Sequence, residues 1–145
     1  MSFSGAKYFA TSVFNPDQRI NGPQNAFSGN KSRWISAEGD IPPAVFVRFP
    51  SAMTISSFSF RSDDDFDKSP TKFDFIGSPE LDCGTWSYEV ILQVADATWY
   101  TSNQEQSWDI PVGKGGPFQC FGFRIHNTVG KDNAIIKDAK LWRGQ

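Results

Sequence analysis

Apolar and polar residues alternate with a period of two in several short stretches of the chain, which is the pattern of half-buried β-strands. Turn-forming residues such as Asn-Pro-Asp at 15–17 and Asn-Gly-Pro at 21–23 separate such stretches, and no segment has a helical period. The pattern predicts an all-β chain folded as a two-sheet sandwich. The predicted strands are residues 9–14, 45–49, 55–60, 72–77, 88–94, 118–125 and 134–142.

The order of these strands also predicts two antiparallel pairs. A short turn at 50–52 separates strands 45–49 and 55–60, and a turn-rich stretch at 127–133 separates 118–125 from 134–142. We therefore expect the first two strands to pair with each other and the last two to form a closing hairpin. In the strand 88–94, we expect Tyr88, Val90, Leu92 and Val94 to share one face.

Composition limits the kinds of partner. The length of 145 residues suits one domain, 1–145. Aromatic residues make up 15% of the chain and include 14 Phe, which indicates a core filled by rings. A net charge of -2 provides no basic stripe, so nucleic acid is not an expected partner. No run approaches the ~20 apolar residues of a transmembrane helix, and no signal-peptide core is present. These features fit a cytoplasmic protein or an excised extracellular domain.

The two cysteines do not form the dense framework of a small secreted domain. Cys83 falls in a predicted loop and Cys120 in a predicted strand, and neither has the spacing of a metal site. We expect two reduced structural thiols, with a disulfide as the alternative.

Catalytic chemistry has few candidates. An enzyme needs a nucleophile with its base, a carboxylate pair or a metal cluster, and the chain has a single histidine, His126. We predict no catalytic residues and no enzyme activity. The five tryptophans, including Trp34 and Trp86, are expected in the core rather than on a ligand platform.

Two phrases of the sequence carry a family resemblance. Residues 26–34 read AFSGNKSRW, a tight loop of Gly and Asn followed by a Trp, and residues 70–78 read PTKFDFIGS ahead of Trp86. In this order they resemble the discoidin family, also called the F5/8 type C domain, and the similar family 32 carbohydrate-binding modules. Stretches 43–49, 57–61 and 121–142 extend the resemblance over nearly the whole chain. Ser28 stands where many relatives carry Asp, and the terminal cysteines of the coagulation-factor branch are missing here.

The resemblance implies an antiparallel jelly-roll sandwich with a galactose-binding-like fold. It also implies a lectin-like module that recognises the sugar hydroxyls of a carbohydrate or glycoprotein through loops at one end, without turnover. The alternative is a protein interaction or cell adhesion module of the same fold within a larger assembly. A phospholipid-binding module is a third possibility, but the candidate loop is acidic, which counts against it.

The resemblance further implies where the ligand would bind. The stretch 57–61 would supply Arg61 as a donor at its end, and the loop after it would supply carboxylates as acceptors and an aromatic ring. The loops 36–41 and 126–132 would complete the site. The alternatives are a solvated acidic loop at 63–67 and a partly exposed histidine. The predicted ligand-binding residues are Glu38, Asp40, Arg61, Asp64, Asp65, Phe66, His126 and Asn127.

A structural Ca²⁺ is also implied by the resemblance, held between the Gly-Asn loop and the last strand. Asp138 would be its only charged ligand, and calcium prefers several carboxylates. The alternative is a loop that is hydrogen-bonded to Asp138 without metal. The predicted ligands are Ser28, Asn30, Ser32, the Lys137 carbonyl and Asp138.

Overall fold

Two antiparallel sheets pack face to face in the computed structural model of the protein, which describes residues 5–15, 18–29, 32–40, 42–64, 66–79, 83, 88–130 and 133–144. A five-stranded sheet has the order β1-β3-β8-β5-β6, and a four-stranded sheet has the order β2-β9-β4-β7. The strands are β1 Lys7–Ala10, β2 Arg33–Ile35, β3 Ala44–Met53, β4 Ile55–Arg61, β5 Pro70–Ser78, β6 Glu89–Val94, β7 Glu105–Asp109, β8 Phe118–Thr128 and β9 Ile135–Arg143. This architecture confirms the predicted jelly-roll sandwich.

Helical structure is short in the described part of the chain. The helix α1 covers Gln18–Asn21, and 3-10 turns cover Pro23–Ala26 and Phe66–Lys68. No helix among the described residues has the length and apolar character needed to cross a bilayer. The first 3-10 turn leads into the buried Phe27 and then into the loop before β2, where Gly29 has a φ of 72°. A positive φ is the conformation that favours glycine, as the Gly-Asn loop predicted.

Aromatic rings fill the space between the sheets. Phe58 lies with its ring centroid 4.4 Å from that of Phe75 and 5.4 Å from that of Phe123. Pairs at these distances contribute beyond the area that they bury. The side chains predicted to be buried are each at most 1% exposed; they are Trp34, Phe73, Phe75, Phe121 and Phe123. The alternation therefore identified the core face correctly.

Strand pairing differs from the sequence-based expectation. β3 lies in the five-stranded sheet and β4 in the four-stranded sheet, so these consecutive strands do not pair. β8 and β9 are likewise in different sheets, so the predicted closing hairpin is wrong. The reason is that a jelly roll sends consecutive strands across the sandwich, while alternation reports only which face of a strand is buried.

One face of β6 was also assigned incorrectly. A bulge interrupts the β5–β6 pairing between Phe75 and Ile76. A bulge shifts the alternation by one residue. Ile91 is consequently buried at 5% exposure, whereas Val90 is 45% exposed.

The cysteines form a disulfide, which corrects the prediction of two free thiols. The Cα atoms of Cys83 and Cys120 lie 5.2 Å apart although the residues are 37 apart in sequence. Both sulfurs belong to a small apolar cluster on the outer face of the five-stranded sheet, together with Phe46 and Ile76. The bond therefore fastens the loop after β5 to β8, a proximity that spacing along the chain does not reveal.

Candidate functional site

The described parts of the connections 36–43, 62–69, 95–104 and 129–134 lie at one end of the sandwich, because antiparallel strands bring alternate connections to the same edge. A cavity of about 200 Å³ opens at this end. We call it the end cavity. Its lining residues come from the segment after β1, from β2 and the loop after it, from the second 3-10 turn and from the start of β9; they are Phe14, Arg33, Ile35, Glu38, Lys68, Asn133 and Ile135.

Backbone hydrogen bonds hold the walls of the end cavity. The Phe14 N–H donates to the Ile35 carbonyl at 2.8 Å, which fixes the segment after β1 along β2. Ser36 joins β2 to the start of β9, because its N–H donates to the Ala134 carbonyl at 2.9 Å and its hydroxyl accepts from the Ala134 N–H at 2.8 Å. The Asn133 amide donates to the Ser36 carbonyl at 3.3 Å. The amide is therefore held in a fixed orientation beside the cavity.

A buried charge cluster lies beneath Arg33. Asp63 is 3% exposed and forms an ion pair with the Arg33 guanidinium. Its second carboxylate oxygen is 3.7 Å from the Lys137 ammonium, whose side chain is 9% exposed. Two cations around one buried carboxylate compensate the cost of removing the charges from water. The cluster holds Arg33, which is 38% exposed, in the cavity wall.

The loop after β2 carries Glu38 to the rim. The Asp40 N–H donates to the Ala37 carbonyl at 3.4 Å, and Gly39 has a φ of 81° that this tight turn requires. The Asp40 carboxylate accepts hydrogen bonds from the hydroxyls of Thr11 at 2.5 Å and Ser12 at 2.6 Å. Asp40 thus anchors the loop, whereas the exposed Glu38 lines the cavity.

Arg61 is engaged elsewhere, on the outer face of the four-stranded sheet. Its guanidinium lies 2.8 Å from the Glu105 carboxylate and 3.1 Å from that of Asp138, and it donates to the Asn103 carbonyl at 3.0 Å. Lys140 lies 3.8 Å from both carboxylates. Two cations and two anions thus alternate in a surface network, and Arg61 is not among the described residues that line the end cavity.

The other predicted ligand-binding residues are spread over the molecule. Phe66 packs partly buried against the main core, and Asp64 is exposed. His126 and Asn127 lie at the end of β8, where His126 contacts Asp74 on the five-stranded sheet. Asp65 lies outside the described residues. Of the eight predicted side chains, the structure brings Glu38 to the end cavity.

Sequence reasoning missed most of the cavity. Phe14, Arg33, Lys68 and Asn133 were not singled out, since each is an ordinary residue next to a strand or turn. A solvated acidic loop was the alternative for residues 63–67, but Asp63 within it is buried. The acidic run was itself a signal of a charged site, because a loop with several adjacent carboxylates can bury one of them only where cationic side chains lie beside it.

Two of the residues predicted to bind calcium make contacts within the protein. The Asp138 carboxylate pairs with Arg61 and Lys140, and the Ser28 hydroxyl donates to the Asn25 carbonyl at 3.4 Å. Asn30 lies outside the described residues. No group of three or more His, Cys, Asp and Glu side chains suited to a metal occurs in the part of the chain that is described. The donor set therefore fits calcium poorly, since its one carboxylate already has cationic partners.

The tryptophans follow the core prediction in part. Trp34 and Trp99 are buried at 0% and 5% exposure, and Trp108 packs partly buried against the core. Trp142 is 41% exposed on the four-stranded sheet, contrary to the expectation. Trp86 lies outside the described residues.

Comparisons with known proteins agree on the fold. No family model matches the sequence, and no curated protein matches it either. The fold is that of F5/8 type C domains and family 32 carbohydrate-binding modules. An F5/8 type C domain from Bacteroides fragilis has a TM-score of 0.80 and 12% identity, over 100% of this chain and 95% of that one.

Two sugar complexes have similar structures. A family 32 carbohydrate-binding module from Clostridium perfringens in complex with GalNAc-β-1,3-galactose has a TM-score of 0.74 and 14% identity, over 94% of each chain. The family 32 module of NanJ from the same organism, in complex with galactose, has a TM-score of 0.69 and 17% identity, over 94% of this chain and 92% of that one. Each of the three likenesses covers at least 92% of both chains.

Proposed function

We propose that this protein is a non-catalytic carbohydrate-binding module that holds a sugar residue in the end cavity. The observation that carries the proposal is the composition of the cavity wall. The wall combines hydrogen-bond donors and an acceptor for sugar hydroxyls with apolar surface. Solved structures of similar fold include a complex with galactose.

The cavity offers what a polyhydroxylated ligand requires. Arg33, Lys68 and the Asn133 amide are donors, and Glu38 is an acceptor. The half-buried Phe14 ring provides an apolar surface for the C–H face of a sugar. Sugar hydroxyls compete with water for every polar contact, so both the ring and the directed hydrogen bonds are needed for selective binding.

Turnover is not part of the proposal. Glycoside hydrolysis uses a pair of carboxyl groups across the scissile bond. Glu38 is the only carboxylate among the described residues that line the cavity, and no hydroxyl or thiol side chain accompanies it there. The arrangement supports binding alone.

A glycan array followed by titration calorimetry tests the proposal. Binding to one shallow site should have a dissociation constant in the millimolar to micromolar range, about 4 to 8 kcal/mol. Lys68→Ala and Glu38→Gln should each weaken binding about tenfold, because each removes a charged hydrogen-bonding partner. Lys114→Ala, which changes an exposed lysine in a turn at the opposite end, is the matched control and should leave binding unchanged.

Arg61→Ala distinguishes the two possible locations. Loss of binding in this variant with an intact fold would favour the site predicted from the sequence, around the loop after β4. Loss in Lys68→Ala but not in Arg61→Ala would favour the end cavity. If a broad array finds no binder, the carbohydrate proposal is wrong and the protein-interaction alternative takes its place.

A further inference from the structure

A second cavity, of about 160 Å³, shares no lining residue with the end cavity. We call it the sheet cavity. Because Phe73 and Phe75 face the core, their neighbours on β5 point to the outer face of the five-stranded sheet. The sheet cavity lies on this outer face, at the ends of β5 and β6, and its lining residues are Lys72, Asp74, Gln93, Val94 and Ala95.

A buried carboxylate forms part of its wall. Asp74 is 8% exposed, and its Oδ2 lies 2.9 Å from His126 Nε2. An ionised carboxylate can accept about four hydrogen bonds, and a buried charge is costly unless it is well compensated. His126 is the one hydrogen-bond partner of this carboxylate among the described residues, so Asp74, which lines the cavity, has accepting capacity to spare.

Arg124 lies next to Asp74 in the five-stranded sheet. Arg124 on β8 is the register partner of Asp74, yet its guanidinium lies over the Tyr88 ring, 4.3 Å from the centroid. Its Nε is buried and has no hydrogen-bond partner in the described part of the chain. The ring face compensates the guanidinium charge, so Arg124 does not neutralise Asp74 by a hydrogen bond, and it is not among the described residues that line the sheet cavity.

The chemistry of the wall selects the class of ligand. A divalent cation would need more carboxylate or imidazole ligands than Asp74 and His126 supply, and an anion would meet the Asp74 carboxylate. An uncharged polyhydroxylated ligand suits both the acceptor and the donors of the wall, because its hydroxyls can donate to Asp74 and accept from Lys72 and Gln93. Ala95 adds apolar surface.

We propose that the sheet cavity is a second sugar-contact site, with Asp74 accepting hydrogen bonds from sugar hydroxyls and His126 positioning the Asp74 carboxylate. The site goes beyond the proposed function, since it uses no residue of the end cavity. Two separate contacts on one domain would let the protein engage two residues of a branched glycan or two chains, and such bivalent binding raises the effective affinity.

Amide chemical shifts of the ¹⁵N-labelled protein test this inference. Galactose and chitotriose, the probes, are added up to about 50 mM, above the millimolar dissociation constants expected of a shallow site. Residues 72–74, 93–95 and 126 report on the sheet cavity, and residues 33–38, 68 and 133–135 report on the end cavity. We expect two groups of shifts with different midpoints.

Asp74→Asn should raise the dissociation constant reported by the residues of the sheet cavity by at least about tenfold. The dissociation constant reported by the residues of the end cavity should stay within about twofold of that of the parent. Asp109→Asn, an exposed carboxylate on the other sheet, should change neither group. If Asp74→Asn does not fold, Lys72→Ala at an exposed position provides the same comparison.

The outcomes separate the two proposals. Shifts confined to the end group at the highest concentration would overturn the second site and leave the proposed function standing. Shifts confined to the sheet group would overturn the end cavity instead. If neither group shifts with either probe, both assignments are wrong.

Discussion

Replacing Asp63 by Asn is the sharpest test of how the end cavity is built. Asp63 is 3% exposed and carries the only negative charge that the structure pairs with Arg33 and Lys137. Asparagine keeps the size of the side chain and removes the charge. The Lys137 ammonium, on a side chain that is 9% exposed, then has no compensating anion among the described residues.

Breaking a buried ion pair from one side costs about 3 to 5 kcal/mol. We expect about 3 kcal/mol, the lower end, because Arg33 is 38% exposed and can regain contact with water. For a domain of this size that corresponds to a fall of about 10 °C in the melting temperature. Thermal and urea unfolding, followed by circular dichroism, measure both quantities.

Two further variants make the test specific. Asp64→Asn removes the same charge from the adjacent, exposed position and should change the free energy of unfolding by less than about 0.5 kcal/mol. The double variant Asp63→Asn/Lys137→Met removes the uncompensated cation and should be less destabilised than Asp63→Asn alone. If Asp63→Asn unfolds at the same temperature as Asp64→Asn, the buried charge cluster is not formed in solution and the reasoning is wrong.

Three other predictions concern the core, the disulfide and the implied calcium site. Phe123→Ala should destabilise the protein by about 3 to 5 kcal/mol, since the ring is fully buried between the sheets, and a urea midpoint close to that of the parent would contradict this. Cys83→Ser/Cys120→Ser should cost up to about 4 kcal/mol, because the bond closes a loop of 37 residues, and an identical midpoint with and without reductant in the parent would refute it. Melting in EDTA and in millimolar calcium should give the same temperature, because Asp138 is paired with cations; a rise with calcium would establish the implied metal site.

Much of the fold was already determined by local patterns in the sequence. The alternation at Phe73 and Phe75 and at Phe121 and Phe123 reports which side of a strand is apolar, and the hydrophobic effect buries that side in any tertiary arrangement. The Gly-Asn loop before Trp34 likewise requires a positive φ wherever it is placed. These features act over a few residues, so they could be predicted without knowing what each strand packs against.

Strand pairing depended on contacts distant in the sequence. β3 and β4 were expected to pair because they are consecutive, but the jelly-roll connection places them in opposite sheets. The bulge opposite Ile76, which turns Ile91 inward, has no local sequence signal that we recognise. The same is true of the disulfide between Cys83 and Cys120.

The candidate site was decided almost entirely by the tertiary structure. Of the residues that the family resemblance indicated, Glu38 lines the end cavity. Phe14, Arg33, Lys68 and Asn133 reach the same cavity from segments separated by tens of residues, and nothing along the chain marks them as neighbours. Arg61, in contrast, was singled out from the sequence and does not line the end cavity. A charged residue at a strand end pairs with whichever opposite charges the sheet places beside it, here Glu105 and Asp138. Local periodicity determines what is buried, whereas the choice of partners depends on three-dimensional packing.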